Sequence, residues 1–194
     1  MTATVDALSP SISAMGKAWG VTETLMGGTE AMRAAKALLP KWPKEEDDAY
    51  KARLDTATLF PAFRRTVSVM VGKPFSKALT LSDDVPDQIK DWSEDIDREG
   101  VNLHVLCSEM MGEALAHGLC GVLVEAPKQA GGPGRVQTRA EQQQAGMRPY
   151  FVRVMHRQIL GYRIASANGA RSLAQLRIAE DATVADGLYG EKTA

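Results

Sequence analysis

Apolar residues set a helical rhythm from residue 48 onward. Tyr50, Leu54, Ala57 and Thr58 share one face, and Lys51 and Arg53 stand off it. Pro61 interrupts the rhythm, which predicts either a kink or the first turn of a second helix. Phe63, Val67 and Met70 carry the stripe on until Gly72 and Pro74 stop it. Residues 78–81 read as a short strand or an extended link. Pro86 suits the first position of a helix over 87–98, with Gly100 as its stop. Asn102 suits the N-cap of a helix over 103–117 that ends at Gly118. On it Leu103, Leu106, Cys107, Met110, Ala114 and Leu115 recur at three- and four-residue steps, which predicts one core face.

Ahead of this stretch the pattern is weak. Residues 1–28 hold few large apolar side chains and end on Gly27 and Gly28, so they read as an N-terminal arm with a short helix around 17–26. Thr29 is placed to cap a helix over 30–39, which Pro40 would end. Past Gly118 the period becomes that of strands. The run 120–125 reads as a buried strand and 129–134 as a Gly-rich loop. Thr138 and Glu141 form a capping-box pattern opening a short helix to 145. Residues 150–154, 159–164 and 173–180 read as extended, with Asn168-Gly169 as a hairpin turn. Helices first and strands later predict an α+β fold, mostly helical over the N-terminal two-thirds and followed by a small β-rich segment. The expected division is an arm over 1–28, an α+β domain over 29–180 and a weakly patterned tail over 181–194, with the core in 48–125.

Composition narrows the class. The 194 residues are 44% hydrophobic and 24% charged, which is globular composition. A net charge of −1 argues against a dedicated nucleic-acid binder with a basic surface. Two cysteines without a spaced framework suit a reducing compartment. The start lacks a basic and apolar leader, and no run reaches the roughly 18 apolar residues that span a bilayer. The expectation is a soluble product of the cytoplasm.

Candidate chemistry is sparse. The glycines at 131, 132 and 134 are not followed by the Lys-Ser/Thr of a phosphate loop. His104 and Cys107 stand one turn apart, but a metal site needs three or four ligands and no further pair is spaced to join them. Asp95 and Asp97 would point apart on a helix. His104, His117 and His156 fit no hydrolase signature. No catalytic, metal or cofactor residue is assigned, and a non-enzymatic protein is expected. A pocket uniting His104 with Asp95 and Asp97 would favour the enzyme alternative.

Charge placement says more than net charge. Residues 81–113 carry ten acidic side chains against Lys90 and Arg98, a net of −8. Residues 127–177 carry nine basic side chains, eight of them arginine, against Glu141, a net of +8. Three readings stay open. The blocks are solvated faces of one monomer, or they meet head to tail between copies, or arginines meet DNA phosphates. The candidate interface or DNA-facing residues are Arg148, Arg153, Arg157 and Arg163 on the basic side, and Asp91, Asp95 and Asp97 on the acidic side.

Several strings bear a family likeness. They are Ala31-Met-Arg-Ala-Ala-Lys-Ala-Leu-Leu-Pro40, Tyr50-Lys-Ala-Arg-Leu54, Leu59-Phe-Pro-Ala-Phe-Arg-Arg-Thr-Val67 and Gly72-Lys-Pro-Phe75. Glu113-Ala-Leu-Ala-His-Gly-Leu-Cys-Gly-Val-Leu-Val-Glu125, Arg148-Pro-Tyr150 and Ile159-Leu-Gly-Tyr162 follow. In this order and spacing the chain resembles tailed-phage portal-like proteins over residues 20–190. The resemblance implies a ring homo-oligomer at one vertex of the phage head, on which terminase docks and to which head–tail adaptor proteins attach. DNA passes transiently through its channel, and the portal performs no bond chemistry. It implies a virion location, host cytoplasm during assembly, no membrane partner and an α+β wing for this part. Family members are longer, so the tail is expected to continue into a C-terminal half beyond residue 194. The alternatives are another phage head or head–tail adaptor structural protein, and a fragment of a small phage-encoded enzyme.

Overall fold

The computed structural model describes residues 4–127, 138, 140–141, 146–180, 183–186 and 190–193. The fold is α+β, with helices in the N-terminal part and antiparallel hairpins toward the C-terminal end. Contacts sort the chain into two units, Met1–Arg64 with Met155–Ala194, and Arg65–Val154. Boundaries thus fall after residues 64 and 154, whereas the sequence pattern suggested 28 and 180.

The discontinuous unit opens with α1, Pro10–Ala35. Ser9 caps it by accepting the Ile12 amide at 3.4 Å, and Pro10 supplies a preset φ at the first position. Residues 10–27 are therefore helix, which corrects the reading of an arm with one short helix. Ile12 is fully buried and Trp19 is 6% exposed. Few bulky residues mark this helix, so its period is faint in the sequence. Gly28 does break the geometry, at φ 78 and ψ −154, but as a kink inside the helix. Thr29 is not a cap; its hydroxyl accepts the Leu59 amide at 3.1 Å. The helix ends at Lys36 in the left-handed region (φ 58), ahead of Pro40.

Helix α2, Asp47–Thr56, carries Asp47 and Asp48 in its first turn, where acidic charge suits the helix dipole. Its Arg53 fastens the preceding loop. The guanidinium grips both oxygens of Glu45 at 2.7 Å, donates to the Pro40 carbonyl at 3.0 Å and lies over the Tyr50 ring. Pro61 starts a second helix, α3, Ala62–Gly72, and the unit boundary falls inside it.

The late part of this unit holds β3, Ile159–Ala167, and β4, Ala170–Ile178, named in chain order after the two strands of the other unit. Asn168 and Gly169 turn between them with φ 52 and 78, the two positive values that a tight primed turn requires. Residues 4–9 lie along this hairpin. The Ser9 amide donates to the Leu160 carbonyl at 2.8 Å, and Arg177 donates to the Val5 carbonyl at 2.7 Å. A Cβ at Gly161 would come within 2.9 Å of Ser9 Cβ, so this crossing needs glycine. The weakly patterned tail forms a further hairpin, β5 Thr183–Asp186 with β6 Gly190–Thr193.

The continuous unit contains a 3₁₀ turn at Pro74–Ser76, an extended link through 78–81, and α4, Asp87–Ser93. The helix predicted over 87–98 stops five residues early, and its last part is a tight turn. Asp95 Oδ1 accepts the Gly100 amide at 2.8 Å. Asp97 Oδ1 accepts the amides of Glu99 at 2.9 Å and Val101 at 3.0 Å. These carboxylates offer the backbone an alternative to helical pairing, and that alternative wins here. Asn102 then caps α5, Leu103–His117, by accepting the Val105 amide at 2.9 Å, and Gly118 closes it at φ 74. Leu106 and Ala116 are its buried residues, whereas Ala114 and Leu115 of the predicted core face are exposed.

Strands β1, Gly121–Glu125, and β2, Tyr150–Val154, pair antiparallel, with Leu123 opposite Val152. Val122 and Val124 are exposed, so β1 is half-covered where its unbroken apolar run suggested full burial. Thr138 and Glu141 make both reciprocal bonds of the capping box, at 3.3 and 2.9 Å. The loop predicted over 129–134 and the rest of that short helix lie outside the described residues.

Candidate interaction surface

Each unit spends part of the charge pattern internally. In the continuous unit, Arg148 is 16% exposed and donates to Asp95 Oδ2 at 2.8 Å and to the Asp95 carbonyl. Arg153 of β2 pairs with Glu109 of α5. In the discontinuous unit, Arg157 grips both oxygens of Glu23 on α1, and the buried His156 ring meets the same carboxylate at 2.9 Å. The Trp19 indole packs edge-on against His156, with ring centres 4.7 Å apart. The Arg157 guanidinium holds the Glu23 carboxyl down to about 2, against the burial that would raise it.

Of the seven residues singled out in the sequence, Arg148, Arg153, Arg157 and Asp95 are thus engaged within their own units. Asp97 is buried in the turn after α4. Burial alone would raise its carboxyl, but the Glu99 and Val101 amides outweigh that and hold it below the ordinary value. Its Oδ2 and Nη1 of Arg148 are buried without a hydrogen-bond partner among the described residues. Arg163 and Asp91 are exposed and have no side-chain partner among the described residues. Arg153 and Arg157 are therefore poor probes of self-association, since reversing either charge strikes an internal ion pair first. Glu23 carried no sequence signal, and Glu109 stood out only as a member of the acidic block, because their arginine partners lie 134 and 44 residues away.

His104 and the two aspartates do not share a hollow. His104 lines one of about 160 Å³ with Leu79, Ser93 and Glu94, and its Nδ1 accepts the Leu79 amide at 3.3 Å. Asp97 lines another, of about 180 Å³, with Glu99, Tyr150 and Arg153.

Among the described residues the β3–β4 pair also presents an apolar face. Residues directly opposite in an antiparallel pair share a face, and Tyr162 stands opposite Leu176 and Ile164 opposite Leu173. The register shift after Arg163 leaves Ala174 as an extra residue, which brings Leu173 and Leu176 to the same side. These four side chains are 40%, 43%, 55% and 60% exposed, for Tyr162, Leu176, Ile164 and Leu173 respectively. The opposite face carries Gly161, Arg163, Gln175 and Arg177; Arg163, Gln175 and Arg177, together with Tyr162, border a hollow of about 480 Å³ with residues 7–11. Both strands and their turn at Asn168-Gly169 are legible in the sequence, but the register shift that aligns Leu173 with Leu176 is not, so the stripe emerges only from the pairing.

No helix among the described residues is long and apolar enough to cross a membrane. Compared with protein-family models and with curated protein sequences, the chain matches none.

Proposed function

We propose that the chain is a structural, portal-like part of a phage head, working as one wall segment of a ring through which DNA passes. Terminase and head–tail adaptor proteins are its further partners in this reading, and the virion is its location. The resemblance of the ordered strings between residues 20 and 190 motivates it. The observation that carries it is the uncovered apolar face of the β3–β4 hairpin. A two-stranded ribbon is marginal alone in water, and a contiguous apolar face on it calls for a neighbour. A wall segment obtains that neighbour from assembly.

Immunogold labelling of phage particles that carry the protein tests the reading. Label at a single vertex is expected. Label over the whole shell, or on tails detached from heads, would overturn it in favour of another head or adaptor component.

A further inference from the structure

We propose that the apolar face of the β3–β4 ribbon docks, head to tail, on the acidic α4 segment of a second copy of this chain. The inference rests on the reading of the protein as an assembling wall segment, and it names the seam.

The ribbon states what its partner must offer. Its apolar stripe is Tyr162, Ile164, Leu173 and Leu176, and residues 159–179 contain three arginines and no acidic residue. Arg171, opposite Ser166, lies on the apolar side at the turn end and has no side-chain partner among the described residues, whereas Arg163 belongs to the opposite face. The ribbon therefore fits a surface with an apolar centre and an acidic rim.

The same chain carries such a surface. Ile89 of α4 is 46% exposed. Around it Asp83, Asp84, Asp87, Asp91 and Glu94 are exposed, and Lys90, which pairs with Asp87, is the one cation in that stretch. Asp91 and Glu94 have no side-chain partner among the described residues. The two patches are different surfaces, so the contact is heterologous and each copy keeps a free patch of each kind.

Two variants of the full chain test this. Leu173→Asp breaks the ribbon face, and Asp91→Lys with Glu94→Lys reverses the acidic rim. All three positions are exposed, and circular dichroism verifies folding. Wild-type chain should show mass rising with concentration in light scattering, less so at high salt. Each variant should weaken association by on the order of thirtyfold or more, the loss typical of a central contact. Mixing the two variants should restore one contact only and stop at a heterodimer. The proposal is overturned if wild type stays monomeric, if Leu173→Asp associates like wild type, or if the acid-reversed variant still associates alone, which would mean ribbon-to-ribbon pairing. It is also overturned if the mixture yields no heterodimer. Failure here relocates the seam and leaves the portal reading to the vertex-labelling experiment, which stands or falls independently.

Discussion

Replacing Glu23 with glutamine removes the charge that Arg157 and His156 share. A carboxyl held at about 2 rather than 4.5 represents roughly 3 kcal/mol of preference for the ionised form in the folded state. Arg157 is 66% exposed, so water screens much of that, and about 1–2 kcal/mol is the expected cost of Glu23→Gln near neutral pH. Because the folded value is depressed, this stability is fully present above 4.5 and drains away as pH falls toward 2. The assay is urea unfolding followed by tryptophan emission, with Trp42 and Trp92 replaced by phenylalanine so that Trp19, edge-on to His156, reports alone. The wild-type advantage should be whole near neutral pH and should close between 4.5 and 2. An advantage that is absent near neutrality, or that persists unchanged at the acid end, would refute the assignment of this carboxylate as the pinning charge.

Three further outcomes are expected. Ile12→Ala, at a fully buried position of α1, should cost about 2–5 kcal/mol in the same titration, whereas an arm-like segment would show almost none. Arg53→Met should free the loop that precedes α2, seen as faster hydrogen exchange at the Trp42 amide, which Glu45 Oε2 accepts at 3.1 Å. Gly118→Ala should cost about 1 kcal/mol in thermal unfolding, because the left-handed cap at φ 74 suits only glycine without strain.

Local signals were legible where short-range chemistry decides the structure. Asn102 and Gly118 bound α5, Pro61 starts α3, Asn168 and Gly169 turn the hairpin, and Thr138 reaches Glu141 as its spacing suggested. Contacts across long sequence separations were not. Ile12 and Trp19 lie on a helix with few bulky residues, so nothing in the window around them announced a core. Asp95 and Asp97 fitted a helical window, and only their bonds to backbone amides turned the chain. The surface candidates divided the same way. Arg163 and Asp91 stayed open, but Arg148, Arg153 and Arg157 met acids 53, 44 and 134 residues away, which charge counting along the chain cannot see.

The discontinuous unit has a consequence for synthesis. Residues 65–154 form a unit whose parts emerge from the ribosome consecutively, so it can fold while the rest is still being made. The contacts of Ser9 and Glu23 must wait, because Leu160, His156 and Arg157 arrive only after that unit. During that interval the face of α1 that holds Ile12 and Trp19 is without its late strand. That face is then most exposed to proteases and to mispairing, and a pause in translation after residue 154 would lengthen that exposure.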